Sequence, residues 1–242
     1  MGTNDFSSQF SVLLNSYAIA AGFGSTDNPG TIELDEYEKS LLLTKSQEDL
    51  VIDLYSGRNS MGTSFEETEE MRRYLSRLVK EAKLDPITNT SNKPLGINSN
   101  SKFFTLPDDL WFITYESVSI TNGKCDDMSV LDVYPVTQDE YHKIKRNPFR
   151  GANNRRALRL DLSDNIIEIV SKYTVSEYYL RYLRKLQPII LSDLGEEQAI
   201  EGVNTISECE LPESLHQRIL DRAVLLALQS RGYTTQNNNN RE

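Results

Sequence analysis

Hydrophobic positions change period twice along this chain. Phe10, Leu13, Leu14, Tyr17, Ala18 and Ala21 recur at helical spacing and predict an N-terminal helix closed by Gly22 and Gly24. After a loop over residues 25–30, Ser46 reads as the N-cap of a second helix. Asp49 lies in its first turn, and it runs through Leu50, Val51, Leu54 and Tyr55 to Gly57. A third helix is predicted from near Ser64, with Met71, Leu75, Leu78, Val79 and Ala82 on one face and glutamates in its first turn. All three are half-polar, as expected of helices that cover a core. Residues 1–84 thus form an N-terminal helical region, followed over residues 85–102 by a polar, Asn- and Ser-rich flexible loop.

The period then falls to two. Residues 110–120 are aromatic and β-branched, and Asn122-Gly123 supplies a tight-turn signal before a second strand over 128–134. Thr137 and Glu140 form a capping-box pattern opening a short helix through Ile144, which Asn147-Pro148 ends. Residues 156–162 and 166–172 flank Ser163-Asp164-Asn165 as a hairpin, and residues 178–186 read as a further strand. The last ordered stretch returns to helical spacing. Pro212 suits a first turn, and Glu213 faces the positive end of the helix dipole. Leu215, Ile219, Ala223 and Leu226 make one stripe, and Leu220, Val224, Ala227 and Leu228 make a second beside it. A helix apolar on so many sides is either the centre of a core or the edge of an assembly. Leu211, Leu215, Ile219 and Leu226 are therefore candidate interface positions. The predicted class is α+β: N-terminal helices, a central antiparallel sheet and a C-terminal amphipathic helix, with residues 103–231 as the main core. Residues 232–242, ending in an asparagine run, have little to bury and are expected to be disordered.

Composition removes several function classes. With 26 Lys+Arg against 36 Asp+Glu, the net charge of −10 opposes generic binding to nucleic acid or anionic membrane. No apolar run approaches the roughly 20 residues of a membrane span. Cys125 and Cys209 are too few for a disulfide framework and have no metal-ligand spacing, so free thiols are expected. Charge is nevertheless segregated. Residues 143–159 hold seven basic residues (Lys143, Lys145, Arg146, Arg150, Arg155, Arg156 and Arg159) and no acid. Residues 27–70 carry twelve acids against three bases, and residues 193–221 eight against one. The basic segment has three readings: a solvated face, a dock for an acidic patch on a neighbouring subunit, or a contact to a phosphate backbone.

Catalytic chemistry is not encoded in any obvious form. His142 and His216 each sit on a predicted helix with no Cys or His partner, which argues against zinc. Carboxylates flanking Cys209 discourage a reactive thiolate. Asp108-Asp109 and Asp126-Asp127 lie beside turns, where Asp hydrogen-bonds locally, and Trp111 reads as core packing. Neither an enzyme nor a cofactor is expected.

Three stretches carry a family resemblance. They are Phe103-Phe104-Thr105-Leu106-Pro107-Asp108-Asp109-Leu110-Trp111, residues 134–151 with the following hairpin and residues 182–191, and Cys209-Glu210-Leu211-Pro212-Glu213-Ser214-Leu215-His216 with its helix. In order and spacing, over residues 103–229, they resemble a virion structural protein of crAss-like bacteriophages, a portal-proximal ring of the head–tail adaptor or collar type. The resemblance implies a homo-oligomeric ring, a dodecamer, at the portal vertex. Its partners would be the portal protein and further ring, tail or collar proteins, with packaged DNA in reach and no membrane. Unlike acidic and basic faces suit the head-to-tail contacts of a closed ring. The alternative is a nucleic-acid-associated protein that uses residues 143–159.

Overall fold

The computed structural model describes residues 1–20, 32–59, 62–88, 96–121, 128–163 and 165–231. The elements are α1 (Thr3–Ala20), α2 (Glu36–Ser56), α3 (Glu69–Leu75), β1 (Val79–Leu84), β2 (Lys102–Thr105), β3 (Leu110–Thr121), β4 (Met128–Pro135), α4 (Gln138–Ile144), β5 (Arg156–Asp161), β6 (Ile166–Val170), β7 (Thr174–Arg184) and α5 (Glu213–Ser230). This is the expected α+β class, with helices at both ends of the sequence and the sheet between them. The chain divides into two compact units, Met1–Arg77 with Leu186–Glu242, and Leu78–Lys185. The predicted Gly22–Gly24 stop, the 25–30 loop, the Asn122-Gly123 turn, Cys125, Asp126-Asp127 and the 232–242 tail lie outside the described residues.

The first unit is built around α5, which packs against α1 and α2. Leu215, Leu220, Ala223, Val224, Ala227 and Leu228 are buried, as is Ile219, which has no exposed surface; Leu226 is half-buried. Between the two readings of this helix, the centre of a core is the one observed. From α1 come Phe6, Phe10, Leu14 and Ala18, one residue per turn of a single buried stripe.

α2 starts ten residues before the predicted cap. Asp35 is the N-cap, accepting from Glu38 N at 2.6 Å while Glu38 Oε2 accepts from Asp35 N at 3.3 Å, and Gly57 closes the helix with φ +77°. Ser46 sits inside the helix, buried, and its hydroxyl donates to Ile219 O of α5 at 2.7 Å. Three further polar residues on α2 face inward and satisfy an extended segment that belongs to no named strand and bridges to Ser207 at Ile190. Leu191 N donates to Ser40 Oγ at 3.0 Å, Ile189 N to Thr44 Oγ1 at 3.0 Å, and Gln47 Nε2 to Gln187 O at 2.9 Å. The match is geometric. Alternate residues of an extended chain lie about 6.8 Å apart and one helical turn rises about 5.4 Å, so residues 40, 44 and 47 can address 191, 189 and 187 in turn.

The predicted third helix is much shorter than its hydrophobic period. Thr68 caps α3 by accepting from Met71 N at 3.3 Å, and one 3₁₀ turn (Ser76–Leu78) ends it. Ser64 marks a turn, its N–H donating to Glu67 Oε2 at 2.7 Å. Val79 and Ala82 leave the helical face altogether. They belong to β1, where pairing with β7 along its whole length overrides the local helical spacing.

The second unit is a seven-stranded sheet in the order β1-β7-β3-β4-β5-β6-β2. Every pairing is antiparallel except β4 with β5, whose connection passes through α4 as a crossover. Register shifts bend the long β3–β7 pair. One face gathers Phe104, Val118, Leu131, Ile167, Tyr178 and Leu180; on the other side of β5 and β6, α4 packs Tyr141 and Ile144 onto Leu158, Leu160 and Val170. Beyond the end of β1, Ile87 N donates to Phe103 O of β2 at 2.8 Å, so the two ends of the strand order are linked and the sheet is curled. The Asp109 carboxylate bonds at long range and not locally as expected: Lys80 Nζ donates to it at 2.6 Å and Tyr182 OH at 2.8 Å.

The α2 row can be tested directly. Thr44→Val keeps the shape but leaves the buried Ile189 N–H without its acceptor, and should lower unfolding free energy by about 1–3 kcal/mol, whereas Thr44→Ser should cost less. Urea unfolding of both variants measures the difference.

Candidate functional site

The basic segment is a built loop, held from within. The Thr137 hydroxyl accepts from Glu140 N at 3.3 Å, which starts α4 where the capping pattern predicted. At its other end Asn147 Oδ1 accepts from Phe149 N at 2.9 Å and Arg150 N at 3.2 Å, and Asn153 Oδ1 accepts from Arg155 N at 2.9 Å. Gly151 N donates to Asn147 O at 2.7 Å, and a Cβ on Gly151 would stand 2.7 Å from that same oxygen, so this position has no room for a side chain. The residues from Lys143 to Arg156 are therefore displayed by backbone already hydrogen-bonded to the loop's own asparagine side chains and carbonyls.

The seven cations separate into two groups. Lys143, Lys145, Arg146, Arg150 and Arg155 are exposed, and Arg156 is half-buried with its guanidinium 4.0 Å over the Tyr134 ring and donating to Phe149 O at 3.2 Å. Among the described residues, no carboxylate forms an ion pair with any of these six. Arg159 is different. On β5 it points into the sheet, its side chain 11% exposed, 2.9 Å from Glu116 Oε1 and 2.9 Å from Asp161 Oδ1, the latter off line for a hydrogen bond. Tyr178 OH donates to the other Glu116 oxygen at 2.7 Å. Burial pushes the Glu116 carboxyl above the usual range against the pull of Arg159 and Tyr178, and burial together with Glu116 pushes the Tyr178 phenol far up. Glu116, Arg159 and Tyr178 thus form a structural triad joining β3, β5 and β7.

The apolar candidates lie in the core of the first unit. Leu211, Leu215 and Ile219 are buried there, and Leu226 is half-buried. His216 is buried as well; its Nε2 donates to Leu211 O at 2.9 Å and its Nδ1 lies 3.0 Å from the Met1 ammonium. Burial raises the Cys209 thiol to about 11, with its Sγ donating to Gln47 Oε1 at 3.1 Å, so the thiolate is scarce at neutral pH. Trp111 is half-buried and stacks on Phe112 at 5.1 Å. A residue the hydrophobic pattern passed over is Phe149. It stands 84% exposed at the loop tip between Arg146 and Arg150. Its position between a helix-ending proline and a glycine was the available signal.

Among the described residues no group of His, Cys, Asp and Glu could hold a metal ion, and no helix is long and apolar enough to cross a membrane. The cleft beside α4, about 370 Å³, is lined by Pro135, Val136, Thr137, Gln138, Glu140 and Asp161, a set with no nucleophile–base pair.

Comparison with known proteins decides the family. The profile of the family described as phage tail ring protein 3/4 matches residues 1–240. The chain belongs to that family. Ring protein 3 of Bacteroides phage crAss001 is 47% identical over 240 residues, covering 98% of this chain and 99% of that protein. Ring protein 4/5 of the same phage is 31% identical over 236 residues, covering 94% and 92%. The likeness to a crAss-like phage ring protein read from residues 103–229 is borne out and reaches into the N-terminal helices. For a ring protein, the charge distribution by unit is notable. Leu78–Lys185 carries 16 basic and 14 acidic residues, leaving 10 and 22 of the chain's 26 and 36 for the other unit.

Two substitutions should separate the exposed cations from the buried one. Arg150→Glu with Arg155→Glu should change folding stability by no more than about 1 kcal/mol, because both side chains are solvated. Arg159→Ala should cost about 3–5 kcal/mol by leaving Glu116 buried without its cation. Denaturant midpoints of the purified chains give both values.

Proposed function

We propose that the chain is a structural subunit of a closed homo-oligomeric ring, a dodecamer, that connects the portal vertex of a phage to its tail and acts without catalysis. Family membership across residues 1–240 carries this reading. The self-supported loop of six cations, none of them ion-paired among the described residues, supports it physically. A closed ring needs one surface that meets an unlike surface of the next copy, and one unit of net +2 and another of net −12 provide opposite signs on different parts of one chain. In this reading the portal protein and further ring, tail or collar proteins lie above and below the ring.

A second reading rests on the same loop. Six cations without an acidic partner among the described residues, four of them arginine, also suit the phosphate backbone of DNA passing through a ring. The two readings part on salt and on assembly state. DNA binding by the isolated chain should weaken steeply with salt and need no ring, whereas subunit docking needs the acidic surface of a second copy.

Reversing Arg150 and Arg155 to Glu together should block ring formation while leaving the monomer folded, because like charges meeting at an interface cost several kcal/mol. Mass measurement of the purified chain, alone and with portal rings, reads the result. Rings that form normally while genome retention fails would favour the DNA reading. Rings and genome handling both unchanged would leave the loop a solvated face.

A further inference from the structure

We infer that Phe149, framed by Arg146, Arg150 and Arg155, is a knob that enters an apolar pocket between α1 and α5 of the adjacent copy in the ring. The inference rests on the ring reading and names the contact within it.

The knob is unusual for a soluble surface. A phenyl ring 84% in water is held out by a loop whose own backbone fixes Phe149 N and Arg150 N on Asn147 Oδ1. Ordering such a loop is already complete before any partner arrives, so little conformational entropy remains to be lost on docking. Aromatic residues and arginine are the types enriched where protein surfaces meet.

The socket lies in the other unit. α1 spends Phe6, Phe10, Leu14 and Ala18 on its own core, yet also shows apolar residues outward: Val12 is 65% exposed, Ile19 58% and Tyr17 42%. Asp5 is the sole charge on this 18-residue helix. Where α1 meets α5, Ser8, Gln9, Val12, Leu13 and Gln217 line a cavity of about 350 Å³, large enough for a phenyl ring. Carboxylates rim it. Asp5 is one turn before Gln9; Asp221 accepts from Gln217 Nε2 at 3.0 Å; Glu213, one turn before Gln217, has a side chain 90% exposed and 3.9 Å from the Met1 ammonium. An apolar centre with an acidic rim is the complement of an aromatic with a basic rim. The two surfaces are unlike, as a head-to-tail ring contact requires, and charge complementarity selects a second copy as the occupant.

The test is a cysteine pair, Phe149→Cys with Gln217→Cys, in assembled particles under mild oxidation, with each single variant as control. A reducible ladder of this chain, absent from both controls, is the expected result. Phe149→Ser should raise the concentration for half-maximal assembly about 10- to 100-fold, the loss of one buried aromatic. Arg150→Glu should impair assembly and Asp221→Arg in the same chain should restore it. Rings without the ladder, a bridge closed within one chain, or a bridge to a different protein would overturn the inference and leave the ring reading standing. Particles with no ring of this chain would end both.

Discussion

Everything in the helical unit depends on how the backbone of residues 187–191 is satisfied. Residues 188–191 of this extended segment are buried, and among the described residues its one backbone bridge joins Ile190 to Ser207, so the flanking N–H groups of Ile189 and Leu191 rely on α2. Ser40, Thr44 and Gln47 act as a side-chain substitute for a neighbouring strand, and Ser46 extends the same service to Ile219 O. A buried backbone polar group without a partner costs about as much as a lost hydrogen bond or more, so the row holds α2 and the segment in one register. Apolar packing could not do this, because it is indifferent to a shift of one turn. α5 then settles against α1 and α2, whose apolar faces it needs on more than one side.

That polar row also explains what could be read from the sequence and what could not. Ser46 looked like a cap because Ser is a preferred cap and an apolar run followed it; in the fold it is a buried cross-link, and the true N-cap, Asp35 in a capping box with Glu38, lies eleven residues earlier. A helix that buries serine, threonine and glutamine shows little amphipathic pattern. β1 was hidden for the opposite reason. Val79 and Ala82 continue the helical spacing of Met71, Leu75 and Leu78, and only pairing with β7 makes them a strand. By contrast β3, the β5–β6 hairpin and α5 were legible, since each carries a long period of its own and buries the residues that period selects. At the site, the run of basic residues was plain in the sequence, but Arg159 could not be told from its neighbours. Its inward direction follows from its place on β5 opposite Glu116 and Tyr178, partners 43 and 19 residues away in the chain.

The division of charge has a physical logic. The acidic unit and the near-neutral sheet unit are each stable around their own cores, so their surface charges are free to serve contacts. The net charge of −10 opposes association of free copies through self-repulsion. Among the described residues of the sheet, the deeply placed ion pair is Arg159 with Glu116, and Tyr178 completes it. The exposed cations share no such partner, and the loop that presents them gains its rigidity from Asn147, Gly151 and Asn153.

The bond from Ile87 to Phe103 has a consequence for how the edges of the sheet meet other chains. An open sheet offers two rows of unpaired backbone groups, each a template for another chain's strand. Here the chain leaving one outer strand runs on to cover the other, and the strand it leaves carries Lys80, Glu81 and Lys83, charges that discourage a foreign strand from adding. Both outer strands are thereby poor templates for a foreign strand, which leaves contact with other chains to side chains, whose pairing is specific where backbone pairing is not.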